Sequence, residues 1–135
     1  MKRIALYGLM ALLLFFVPLT ADSAQPVQVE ILYMNHGPLQ PILKELNDLC
    51  AMYGKGIIVS RYDFESPEGE RFMSRKGIRQ HIPLAIWVDG KSTFPLKGKE
   101  ITFMGFPTGS GPAFFQGKWT IDDLREALDQ LTHKK

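Results

Sequence analysis

The chain carries three histidines and one cysteine, and these residues bound the reactive chemistry open to it. A histidine could ligate a metal or act as a base. A thiolate could attack an electrophile or a disulfide. His36 opens "HGPL", directly after the apolar run "VQVEILYM". His81 stands in "RQHIP", two residues before Pro83, and His133 falls in the terminal "HKK", which reads as a solvated tail. Two histidines are too few for a closed zinc site, which needs four ligands. No metal or other cofactor is therefore expected. The spacing of Cys50 from Ile42, Leu43 and Leu46 puts it on the apolar face of a helix, where a cysteine behaves as a small hydrophobe. Two other uses stay open. An exposed Cys50 could link a homodimer, and His36, His81 or Cys50 could serve a thiol-redox or metal-dependent accessory protein. The glycine-rich "PTGSGP" lacks the lysine of a phosphate loop, which argues against nucleotide binding.

The elements that must position these residues follow from periodicity and breakers. Val27 to Met34 reads as a strand, and Asn35 to Pro38 as a turn. A helix follows, with Pro41 in its first turn and Gly54 at its end. Gly56 to Asp63 reads as a second strand. Ser66-Pro67-Glu68 is a helix start, with a capping serine and proline at the first helical position, and that helix closes at Gly77. Leu84 to Val88 is a dense apolar strand ended by the Asp89-Gly90 turn. "KSTFPLKGKE" reads as a polar connection, Glu100 to Phe106 as a further strand, and "PTGSGPAFFQGK" as a loop. Thr120 and Asp123 have capping-box spacing at the start of the last helix. A helix between the first two strands implies a parallel crossover, and the short turn after Val88 implies an antiparallel pair. Phe106, Phe114, Phe115 and Trp119 are many aromatics for one loop region. Either they fold back on the core or they leave an apolar patch for a partner.

The 135 residues suffice for one domain with a core. Hydrophobic content of 45% with 22% charged residues is that of an ordered globular chain. Sixteen basic against fourteen acidic residues leave a net charge of +2. This gives no concentrated basic face, so no nucleic-acid partner is expected. Residues 1–24 differ from the rest: Lys2 and Arg3 precede an apolar run from Ile4 to Leu19, and small residues follow. That is the pattern of a secretory signal peptide. The expected organisation is a signal at 1–24 and one exported domain at 25–135, most simply in a bacterial periplasm or else outside the cell. No stable membrane insertion is expected after cleavage. With one cysteine, the domain can form no internal disulfide.

The element order, with "HGPL" at the first helix and "HIP" before the third strand, resembles thioredoxin. The family's active-site motif, CGPC, falls on His36-Gly37-Pro38-Leu39. "KGIRQHIPLAIWVDGK" is similar to the family's stretch around its cis-proline, and "GKWTIDDLREALDQL" to its closing passage. The resemblance spans about Val27 to Leu131. It implies an α/β fold with a central mixed sheet of about four strands flanked by helices, and a cis bond at Pro83. Both family cysteines are absent, and dithiol exchange needs one thiolate to attack and a second thiol to resolve. Disulfide oxidoreductase activity is therefore not expected, and no residue is assigned a catalytic role. The family's groove would remain: His36, Gly37, Pro38, Leu39, Ile82 and Pro83 would hold a peptide or protein partner, with the backbone of Ile82 pairing to an extended segment.

Overall fold

The computed structural model describes residues 24–133; the signal-peptide reading falls almost wholly on residues 1–23, outside the described residues. The elements are β1 (Val27–Tyr33), α1 (Gln40–Ala51), β2 (Ile57–Asp63), α2 (Pro67–Lys76), β3 (Leu84–Val88), β4 (Thr93–Leu96), β5 (Lys99–Thr102) and α3 (Ile121–His133). The protein is a mixed α/β domain. Its main sheet has the order β2-β1-β3. The β1 and β2 strands run parallel, with Val27 opposite Ile57, and β3 runs antiparallel to β1, with Ile31 opposite Ile86.

The expectation of one sheet of about four strands needs correcting: the ladders form a three-stranded and a two-stranded sheet. "TFPL", within the expected polar connection, is β4. It alternates buried Phe94 and Leu96 with exposed Thr93 and Pro95. It pairs with β5 across a tight turn at Lys97 and Gly98, whose φ angles of 50° and 74° suit a two-residue hairpin. The expected strand from Glu100 to Phe106 is divided between two partners. Residues 99–102 belong to this hairpin. Phe103 to Gly105 lean on β3 instead: Ile86 donates to the Phe103 carbonyl at 2.9 Å and Gly105 to the Leu84 carbonyl at 2.8 Å.

The sheet separates two apolar layers. Val27, Val29 and Ile31 of β1 face α1 and α3, packing with Leu46, Leu49, Leu124 and Leu128. Leu32, Ala85 and Trp87 face the other side, where Phe72 of α2 covers them. Trp87 meets Phe72 edge-on at 5.2 Å. The local signals at α2 hold. The Ser66 hydroxyl accepts from the Gly69 amide at 2.9 Å, and Gly77 closes the helix at a φ of 68°. At α3, the Thr120 amide donates to the Asp123 carboxylate and the Asp123 amide to the Thr120 hydroxyl, a reciprocal box.

Candidate functional site

The end of β1 is tied to the segment before β3, since the Met34 amide donates to the Pro83 carbonyl at 2.9 Å. The chain then tightens into a 3-10 turn over Gly37–Leu39. Pro38 fits the start of that turn because its missing N–H would have no partner there. His36, Gly37 and Pro38 stay exposed, whereas Leu39 turns inward, is 1% exposed and joins the main core. The two positions that the resemblance aligns with cysteines thus have opposite environments.

His36, Pro38 and Leu39 help to line a cleft of about 230 Å³. Met34, Pro38 and Leu39 form one side, and His81 and Pro83 a second. Phe106, Pro112 and Phe115 close the third. Its surface is almost entirely carbon, with the rings of His36 and His81 the only polar side chains on its wall. His36 Nε2 lies 3.6 Å from Glu65 Oε1, both more than half exposed, so the pair contributes little. The His81 ring stands against Phe64 at 5.0 Å in an edge-on contact.

Of the sequence-predicted site residues, His36, Pro38, Leu39 and Pro83 converge on the cleft. Gly37 does not line it. Ile82 points the other way, packing on the Leu32, Phe72, Ala85 and Trp87 layer and lining a separate hollow with Ile78 and Met104. The expected cis bond at Pro83 is also corrected: among the described residues every peptide bond is trans. Trans is the lower-energy isomer even for X–Pro, by about 0.5–1 kcal/mol. Sequence reasoning missed Met34 and Pro112 as wall residues and left Phe106 and Phe115 open between core and partner patch; the concentration of Phe and Pro in "GFPTGSGPAFF" is the signal that points to them. The aromatics of that region split. Phe106 and Trp119 are buried, Phe115 is 41% exposed at the cleft, and Phe114 is 91% exposed.

No group of three or more His, Cys, Asp or Glu among the described residues is placed to hold a metal. Cys50 lies apart from the cleft, on the buried face of α1. Burial pushes its thiol up from its ordinary range, and Arg61 offsets only part of that. Pairing two chains through Cys50 would require uncovering it. Nearby, the Tyr53 hydroxyl donates to Asp129 Oδ1 at 2.7 Å and to the Arg125 carbonyl at 3.2 Å, joining the end of α1 to α3. Burial and the bond to Asp129 raise this phenol as well.

Both groups are neutral when protonated and both are raised on folding. The stability they contribute is complete below their ordinary values of 9.0 and 10.0 and is lost as pH climbs through the raised folded values. The urea midpoint is therefore expected to fall above about pH 9. Cys50→Ala should remove the earliest part of that fall. A flat midpoint between about pH 8 and 11 in the parent protein would contradict the assignment.

The chain matches no protein-family model and no curated protein.

Proposed function

We propose that this is an exported, redox-inactive thioredoxin-like protein that holds a peptide or protein partner in the cleft at the "HGPL" turn. Four features support the thioredoxin-like reading: the parallel β1–β2 pair joined through α1, the antiparallel β3, the Gly-Pro turn before α1, and Pro83 facing that turn. The trans Pro83 and the inward-packed Ile82 depart from the family pattern. They shift the weight from backbone pairing at Ile82 to side-chain anchoring in the cleft. The absence of thiols at positions 36 and 39 supports redox inactivity. The signal-like residues 1–24 support export to a periplasm. Among the described residues, no helix is long and apolar enough to cross a membrane.

The observation that carries the binding reading is the open carbon-lined cleft. At about 230 Å³ it is smaller than the roughly 300–1,000 Å³ of small-molecule and cofactor sites. That size suits one or two apolar side chains of a polypeptide. The test places a photo-crosslinking amino acid at position 36 or 115 in the source cell. A discrete adduct is expected from both positions, and it should vanish when His81→Trp fills the cleft from its exposed rim. Absence of any adduct from both positions would refute the binding reading.

A further inference from the structure

The third wall of the cleft is a loop that bonds mainly to itself. At its neck, the Phe106 amide donates to the Phe115 carbonyl at 2.9 Å and the Gly117 amide to the Phe106 carbonyl at 2.7 Å. Above the neck, Gly109 and Gly111 both sit at left-handed φ angles, 83° and 64°. The Thr108 amide donates to the Trp119 carbonyl at 2.7 Å and the Ser110 amide to the Pro107 carbonyl at 3.0 Å, but neither bond joins the turn at 109–111 to the strand of chain that returns through Gln116. The Gln116 side chain spans that gap. Its Oε1 accepts from the Gly109 amide at 3.2 Å, and its Nε2 donates to the Gly111 carbonyl at 3.3 Å. Of the two wall residues, Pro112 directly follows the Gly111 tie point and Phe115 stands at the neck, next to Gln116 in sequence. Gly111 also lies flat against the Phe106 ring: a Cβ there would come within 2.3 Å of it.

We propose that Gln116 is the positioning residue of the cleft: its amide fixes the loop so that Pro112 and Phe115 stand as a preformed wall for an apolar anchor. This rests on the proposed binding reading for its purpose but not for its test. An amide suits the task because it offers an acceptor and a donor on one rigid plane. A glutamate keeps only the acceptor, and an alanine keeps neither. A wall held before binding spares a partner the cost of ordering it.

Amide hydrogen exchange on the full-length exported chain checks this, with fluorine-labelled phenylalanine reporting on Phe115. In Gln116→Ala, exchange at Gly109 should accelerate about tenfold, the scale of one modest hydrogen bond. Amides of β1 should keep the parent rate. In Gln116→Glu, Gly109 should stay protected, because the acceptor remains, and a side chain that merely fills space would give no such difference. The Phe115 resonance should shift toward its unfolded position in the alanine variant. Unchanged Gly109 exchange in Gln116→Ala, or an unmoved Phe115 resonance, would overturn the proposal. Failure of the crosslinking experiment alone would remove the partner and leave these readouts to stand or fall separately.

Discussion

Gly117→Ala is expected to destabilise the protein by about 3 kcal/mol or more, the upper part of the range for overpacking. A Cβ on Gly117 would fall 2.0 Å from the Met104 carbonyl oxygen and 2.8 Å from Cδ1 of Trp119. Neither neighbour can yield. Met104 lies in the segment that pairs antiparallel with β3, and Trp119 is 1% exposed. The same glycine donates to the Phe106 carbonyl at the loop neck, so relief by backbone movement would break that bond. Stability and the cleft wall should therefore fail together. Gly37→Ala is the control. It lies in the "HGPL" turn but meets nothing within 4 Å and needs no positive φ. Its effect should stay within about 0.5 kcal/mol. Urea unfolding of both variants decides the matter, and equal midpoints would show that the loop does not pack as described.

Trp119→Ala carries the second large effect, about 3–5 kcal/mol. The indole is buried, meets Phe103 edge-on at 5.6 Å, and donates through Nε1 to the Gly105 carbonyl at 3.2 Å. Truncation removes apolar burial, leaves a cavity beside Phe103, and strands that carbonyl. Trp119→Phe separates the contributions: it restores most of the volume but not the bond, so it should cost less, about 1–3 kcal/mol. Phe114→Ala, in the same loop, should leave the unfolding midpoint almost unchanged because that residue is 91% exposed. If Phe114→Ala proved as costly as Trp119→Ala, the division of the aromatics into core and surface would be wrong.

That division marks the boundary of what the sequence alone determines. Signals held within three or four residues read directly. Ser66 and Pro67 start α2 and Gly77 ends it, Thr120 and Asp123 cap α3 reciprocally, and Asp89-Gly90 turns β3 back on itself. The apolar face of α1 and the place of Cys50 on it also follow from spacing. Each outcome is set by neighbours in the chain, so no distant partner can overrule it cheaply. The convergence of His36, Pro38, Leu39 and Pro83 is readable only through the family resemblance, yet the structure brings those four together.

Tertiary structure alone decided the rest. Pro95 hides β4, because proline argues against a strand until it is known to lie in a two-stranded hairpin, where its missing N–H costs nothing on the outer side. The segment from Glu100 to Phe106 reads as one strand. It serves two partners because the hairpin claims its first half and the edge of β3 its second. Ile82 and Pro83 are adjacent in sequence but face opposite layers, and only the packing of Phe72 and Trp87 shows where Ile82 goes. Among the aromatics, Phe106 and Trp119 join the main core, with Trp119 edge-on to Phe103, while Phe114 meets the neighbouring Phe115 ring and stays 91% exposed. Burial is a competition for a fixed apolar interior, and a one-dimensional pattern names the competitors without deciding which of them win.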